Sequence, residues 1–325
     1  MTTPLLQVRD LTVSYLINGT RGRAADGVSF DLHAGERLGI VGESGSGKST
    51  LALALMQLHK PPSHIEAGSA LLDGTDLLTL RGEALRRFRW SQVSMIPQGA
   101  MNSLNPVMRI GVAMADAIHA HEKGWKPDRI RARIAETLDS VGLDPGVAKL
   151  YPHELSGGMK QRVCIALAII LKPKLIIADE PTSALDVVVQ RRVIETLKAV
   201  QKQIGAALIM IGHDMGLMAQ SVDRLAVMYA GRLVENAPIR RFFRTPLHPY
   251  SQLLISSLPS PDEVREMKGI PGAQPSLFDL PKGCAFHPRC PAAMPQCRLE
   301  RPESRLIGTE RTVACHLVTK EPAHV

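Results

Sequence analysis

The residues of this chain whose types and spacing point most directly to chemistry are Gly42-Glu43-Ser44-Gly45-Ser46-Gly47-Lys48-Ser49-Thr50. The G-x-x-x-x-G-K-[ST] spacing is that of a loop that wraps a phosphate chain. Glycines such as Gly42, Gly45 and Gly47 let backbone N–H groups curl around phosphate oxygens with no Cβ in the way. A helix starting at the loop adds its unsatisfied N–H groups and the positive end of its dipole. Lys48 is expected to reach the β- and γ-phosphates and the Ser49 hydroxyl to ligate Mg²⁺, with Ser44 and Thr50 completing the binding set. A Gly/Ser-rich surface turn could match by chance. The flanks argue against that: Leu38-Gly39-Ile40-Val41 reads as a buried strand and Leu51 to Met56 as a helix.

Two further stretches carry candidate chemistry. Leu175-Ile176-Ile177-Ala178-Asp179-Glu180 is an apolar strand ending in two carboxylates. Asp179 at the strand tip suits Mg²⁺, usually through water, and Glu180 suits polarisation of an attacking water. Many strands end in acidic residues; downstream of a phosphate loop the pattern gains meaning. Leu155-Ser156-Gly157-Gly158-Met159-Lys160-Gln161-Arg162 opens a helix with a hydroxyl and two glycines. Alone it reads as an ordinary Ser N-cap; in this chain it is a second anion-binding helix start.

The elements that must hold these residues follow from periodicity. Short strands are expected at Leu6–Val8, Thr12–Tyr15, Val28–Leu32, Arg37–Val41 and Ala70–Leu72, with Asp73-Gly74 as a turn. Residues 107 to 140 take helical period through Ile130, Ile134 and Leu138, with Pro127 suited to a helix start and Gly142 to its end. A helix from Ser156 to Leu171 stops before Pro173. Buried strands at Leu175–Ala178 and Ala207–Ile211 enclose a helix near Gln190–Gln203. Apolar strands alternating with helices imply a parallel α/β sheet, and the middle segment reads as a helical insertion into it. After about residue 236 prolines accumulate, the periodicity fades and cysteines appear, which marks a small loop-rich module too poor in apolar burial to hold itself without a staple.

Composition bounds the rest. The chain has 325 residues, 45% of them hydrophobic, enough for a sizeable core. Its 39 basic and 31 acidic side chains leave a net charge of +8, densest from Arg81 to Arg133. That stretch reads as a solvated helical face rather than a nucleic-acid patch, since aromatics are only 4% and stacking platforms are scarce. No basic-then-apolar leader and no apolar run near the ~18 residues of a spanning helix is present, so a membrane role needs partners to supply the membrane part.

Taken in order, the phosphate loop, Gln98, Leu155–Gln161, Asp179-Glu180, Ser183-Ala184-Leu185-Asp186 and His213 resemble the ATPase subunits of ATP-binding-cassette transporters, over about residues 5 to 236. The resemblance implies an α/β fold: a P-loop NTPase core with an antiparallel β subdomain and an inserted helical subdomain, here about 100–172. It implies that Tyr15 stacks on adenine, that Gln98 links the metal site to the membrane partner, and that Ser49, Gln98 and Asp179 serve Mg²⁺. It implies that Ser156 and Gly158 hold the γ-phosphate bound on the opposite subunit, that Asp186 crosses the dimer interface, and that His213 contacts the γ-phosphate. The expected catalytic set is Glu180, His213 and Lys48. Phosphoryl transfer to water needs positioning and charge neutralisation more than covalent chemistry, and two bodies closing on one γ-phosphate make hydrolysis depend on closure.

Met101-Asn102-Ser103-Leu104-Asn105-Pro106, His248-Pro249-Tyr250 and Gly283-Cys284-Ala285-Phe286-His287-Pro288-Arg289-Cys290 are similar to stretches of oligopeptide and dipeptide importer subunits. That group implies ATP-driven import of a peptide-like solute. Its expected partners are a second ABC ATPase subunit (a related but different chain), two transmembrane permease subunits and an extracytoplasmic solute-binding protein. No nucleic acid is expected. The chain would be peripheral at the cytoplasmic face of the inner membrane. Nickel and oligosaccharide importers of related type, and non-transport ATPases of the superfamily, are the alternatives. The group commonly has Asp-Pro after the glutamine and an aromatic before it; Gly99-Ala100 and Pro97 here imply an altered coupling contact.

Cys284, Cys290, Cys297 and Cys315 lie in the expected C-terminal module, residues 237–325, at spacings C-x5-C-x6-C-x17-C. Tight zinc-type pairs are absent, and four thiolates suit either zinc or a [4Fe–4S] cluster. The importer resemblance favours [4Fe–4S], with Zn²⁺ as the alternative. Cys164 reads as a small buried core residue.

Overall fold

The structure, a computed structural model, describes residues 3–258 and 269–319. In chain order its main elements are β1 (Leu6–Ile17), β2 (Thr20–Leu32), β3 (Arg37–Val41), α1 (Lys48–Leu55), β4 (Ser63–Leu72), β5 (Thr75–Asp76), α2 (Gly82–Phe88), β6 (Val93–Ile96), α3 (Ile110–His119), α4 (Pro127–Ser140), α5 (Gly157–Ile169), β7 (Leu175–Asp179), α6 (Val187–Ile204), β8 (Ala207–Ile211), α7 (Met215–Ser221), β9 (Arg224–Tyr229), β10 (Arg232–Pro238), α8 (Ile239–Arg244), α9 (Pro249–Ser256), α10 (Pro295–Leu299), β11 (Arg305–Ile307) and β12 (Arg311–Val313). They fall into two compact units. One holds residues 1–5, 32–36 and 79–211; the other holds 6–31, 37–78 and 212–325.

In the second unit, β2-β1-β4-β5 form an antiparallel sheet. The two strand signals at Leu6–Val8 and Thr12–Tyr15 belong to one strand. Its pairing with β4 slips between Arg9 and Val13, where Asp10 takes φ +48°. Such a bulge interrupts the alternation without ending the strand. Asp73 and Gly74, both at positive φ, make the tight β4–β5 turn that their types favour. Strands β11-β12-β10-β9-β3 lie side by side in the same unit, with β3 and β9 parallel from Leu38↔Arg224 to Val41↔Val227. The tail is therefore less loop-like than its proline content suggests. Helices α8, α9 and α10 form, and β12 pairs antiparallel with β10. Ile307, Val313 and Val318 bury together against Leu247, a small core that local periodicity does not advertise because its members come from separate short pieces.

In the first unit, β8, β7 and β6 run parallel, with Leu175–Ala178 fully buried between neighbours on both sides, which is why that stretch is continuously apolar. The helical stretch expected over 107 to 140 is two helices. Pro127 sits at the first turn of α4, Ile130, Ile134 and Leu138 line its buried face, and Gly142 closes the segment at φ +68°. Helix α5 begins as expected at an N-cap, with Ser156 Oγ accepting from the Met159 N–H. Helix α6 starts earlier than periodicity indicates, because Asp186 caps it by accepting from the Val189 N–H at 2.9 Å. Among the described residues no helix is long and apolar enough to cross a membrane.

Candidate functional site

The phosphate-loop sequence lies between β3 and α1 in the second unit, and its backbone is shaped where glycine is required. Gly42 and Gly47 take φ +153° and +104°. A Cβ on Gly42 would stand 2.1 Å from the Met228 carbonyl oxygen, and one on Gly47 would stand 1.7 Å from that of Ala24. No other residue fits either position. The loop turns tightly, with the Ser46 N–H donating to Glu43 O, and the Gly231 N–H donates to Ser46 O from the β9–β10 turn. Lys48 heads α1 and folds back over the loop. Its ammonium donates to Gly42 O at 2.8 Å, Glu43 O at 2.9 Å and Ser46 Oγ at 3.3 Å. Ser49 and Thr50 follow in the first turn, and Thr50 Oγ1 lies 3.1 Å from the Tyr15 hydroxyl of β1. Lysine and backbone amides thus sit together as an anion-binding group.

The loop is gripped from the tail. Glu43 is bound through both carboxylate oxygens by Arg289, with Nη1 to Oε2 at 2.6 Å and Nη2 to Oε1 at 2.9 Å. The Glu43 N–H donates to the Tyr250 hydroxyl at 2.9 Å. Tyr229, Tyr250 and Phe286 pack ring to ring at 4.7 to 5.3 Å behind these contacts. The stretches 248–250 and 283–290 resemble importer sequences, but nothing in them points to the phosphate loop. The only local signal was a tyrosine and an arginine flanked by small and proline residues.

His213 of the second unit is exposed, directly before Asp214, which caps α7 through the Leu217 N–H. The first unit holds the other candidates. Asp179 ends β7 and is 3% exposed, a buried carboxylate of the hard-oxygen type that Mg²⁺ prefers. Glu180 takes φ +46°, and its carboxylate accepts from Gln98 Nε2 at 2.8 Å. Gln98 and Glu180 are thus brought together; Gln98, read from the sequence as a metal-site glutamine, bonds to Glu180 here. After it, Gly99 takes φ +65° and Ala100 is buried, so this departure from Asp-Pro matches the turn it makes. Cys164 is a core residue as read. It donates to Ala100 O at 3.3 Å, and burial pushes its thiol up to about 12. Ser156 and Asp186 are exposed, and both cap helices; Gly158 lies close to α6, where a Cβ would meet Val189 Cγ1 at 2.8 Å.

The four tail cysteines are all free thiols. The Cys284 N–H donates to Cys297 O at 2.8 Å. Burial raises the thiols of Cys284, Cys290 and Cys315, the last to about 11, and the neighbouring cysteines add to each rise. Among the described residues, however, no group of three or more His, Cys, Asp or Glu is arranged to hold a metal ion. The expected zinc or [4Fe–4S] site therefore gains no ligand geometry.

Comparison with known proteins places these features. Residues 25–183 match the family model described as ABC transporter, and residues 234–297 match that described as oligopeptide/dipeptide transporter, C-terminal region. The chain is 43% identical to the dipeptide transport ATP-binding protein DppD of Caldanaerobacter subterraneus subsp. tengcongensis, over 96% of this chain and 97% of that one. It is 44% identical to DppD of Haemophilus influenzae, over 98% and 96%. It is also 44% identical to the oligopeptide transport ATP-binding protein OppD of Salmonella typhimurium, over 98% and 95%. Among solved structures it is similar to the dimeric ATP-binding cassette MJ0796 in a post-hydrolysis state bound to ADP and Pi, with TM-score 0.64 and 25% identity, over 72% of this chain and 99% of that one.

Proposed function

We propose a division of labour among the residues of this chain, which belongs to the ATP-binding subunits of ABC transporters, in the oligopeptide/dipeptide import group. The protein hydrolyses ATP, and that hydrolysis drives peptide import through permease partners fed by a substrate-binding protein. The observation that carries this is identity over nearly the whole length to dipeptide and oligopeptide import proteins, tail included.

Residues 42–50 bind the triphosphate. Backbone N–H groups and the Lys48 ammonium neutralise phosphate oxygens, and Tyr15 stacks on the base. Ser49, Asp179 and Gln98 hold Mg²⁺; their hydroxyl, carboxylate and amide oxygens are donors of the right hardness, and the ion, when bound, draws charge from the phosphates. Glu180 polarises the attacking water, oriented by the Gln98 amide, and His213 contacts the γ-phosphate. Ser156 and Gly158 serve a nucleotide held by a second ATPase subunit, a related but different chain, and Asp186 lies at that interface. Support comes from the exposure of Ser156 and Asp186 at helix starts and from the dimeric state of the similar cassette.

Residues 1–236 form the ATPase domain, with its helical subdomain about 100–172, and residues 237–325 the importer-type module. The protein sits at the cytoplasmic face of the membrane through its permeases. In the module, the four thiols hold a [4Fe–4S] cluster. Four soft donors on one module support this, three of them inside the stretch that matches the importer C-terminal family model. Iron and acid-labile sulfide assays after anaerobic purification test it; a colourless protein with stoichiometric zinc refutes it.

Reconstitution with the permeases and binding protein in vesicles tests the function. ATP-dependent uptake of labelled dipeptide is expected. Uptake of nickel or an oligosaccharide in place of peptides would move the chain to a related importer.

A further inference from the structure

The phosphate loop carries a negative charge of its own. Glu43 is its second residue, and a carboxylate beside a triphosphate opposes anion binding. The tail answers that charge. Arg289 forks onto both oxygens of Glu43 at 2.6 and 2.9 Å, while its Nε donates to Pro271 O at 2.8 Å and Nη1 lies 3.3 Å from the Tyr229 hydroxyl. The Arg289 side chain is 4% exposed and that of Glu43 30%. A planar fork fixed at every nitrogen holds a carboxylate in one place, which a flexible ammonium does not.

Glu43 is also the residue through which the loop is tied together. Its N–H goes to the Tyr250 hydroxyl, and its carbonyl accepts from the Lys48 ammonium at 2.9 Å. Whatever holds Glu43 therefore holds the backbone that positions Lys48. We propose that Arg289 is a positioning residue for nucleotide binding: it cancels the loop's own carboxylate and fixes the backbone that wraps the phosphates. The inference rests on the reading of residues 42–50 as the ATP-binding loop.

The test is titration of the full-length chain with a fluorescent ATP analogue, with thermal melting as the control for folding. Arg289→Gln leaves an unpaired carboxylate at the loop and weakens binding about tenfold, the scale of a lost charge-assisted pair. Glu43→Gln alone changes affinity less than about threefold, because the group removed is the repulsive carboxylate itself while the Arg289 cation remains. The double variant Glu43→Gln with Arg289→Gln regains most of the loss, which a merely structural arginine would not allow. In the assembled complex, Arg289→Gln raises KM for ATP and leaves kcat at saturation unchanged. Wild-type affinity in Arg289→Gln overturns the proposal. So does a double variant that melts normally yet binds as weakly as the single one. If Arg289→Gln does not melt cooperatively, Arg289→Lys decides: intermediate affinity supports the proposal, unchanged affinity overturns it. Lys48→Ala separates the two layers. If it binds the analogue as wild type does, the site reading itself fails; if it loses binding while Arg289→Gln does not, only the role of Arg289 fails.

Discussion

Gln98 donates its amide N–H to the Glu180 carboxylate across 82 residues of chain. Glu180 is held for that contact in left-handed backbone, a conformation that costs a non-glycine residue on the order of 1–3 kcal/mol and persists where surroundings over-determine it. Its N–H is fixed to Ile211 O at 2.9 Å. Glu180→Gln is therefore expected to keep ATP binding and slow hydrolysis by about 10²- to 10⁴-fold, with a nucleotide-bound dimer accumulating. Phosphate release and size-exclusion chromatography read both effects; unchanged turnover would reassign the base.

Ser156 offers a test of two-body catalysis. It is exposed, and its side chain caps α5. Ser156→Arg should leave ATP affinity of the isolated chain within about twofold, since its own phosphate loop is untouched, yet lower hydrolysis in the assembled transporter by about 10²-fold. Equal loss in both measurements would mean the serine acts within its own subunit.

The family and the elements around the candidate site were legible because the motifs are written in short contiguous stretches. Residues 42–50, 155–162 and 175–180 each contain both the reactive groups and the element that presents them. The pairing of β12 with β10 and the grip of Arg289 on Glu43 had no such signal. Each joins segments far apart in the chain, and neither residue type nor period at one end specifies the other. The two halves of β1 looked separate because the slip near Asp10 breaks the alternation that marks a strand.

A buried ion pair anchors the tail strands. Glu235 and Arg311 are 1% or less exposed. Glu235 accepts from Arg311 Nε at 3.1 Å and from the backbone N–H groups of Leu247 and His248 at 3.1 and 2.9 Å. Arg311→Met strands a buried carboxylate and should destabilise the protein by about 3–5 kcal/mol, whereas Arg311→Met with Glu235→Gln should cost distinctly less. Denaturant unfolding of the three chains checks the order.

His248 supplies a pH dependence. Burial drives its imidazole down to about 3, against the opposing hydrogen bond with the Ala314 backbone. In the unfolded chain it titrates near the ordinary value of about 6.5. Between those values the unfolded state binds a proton that the native state refuses. Stability contributed by this group is thus full above about pH 6.5 and is lost as pH falls, by about 1.4 kcal/mol per unit. Melting temperature should drop from pH 7 to pH 5, and His248→Asn, which can still cap α9, should flatten that slope.

The clasp on the phosphate loop joins residues 246 positions apart. At translation rates of about 5–20 residues per second, a nascent chain exposes Glu43 roughly 12–50 s before Arg289 has been made. A messenger that ends early, or a protease that trims the last portion, leaves a cassette whose loop carries an unanswered carboxylate. On the proposed role of Arg289, such a chain captures nucleotide about tenfold more weakly than one that reaches Arg289.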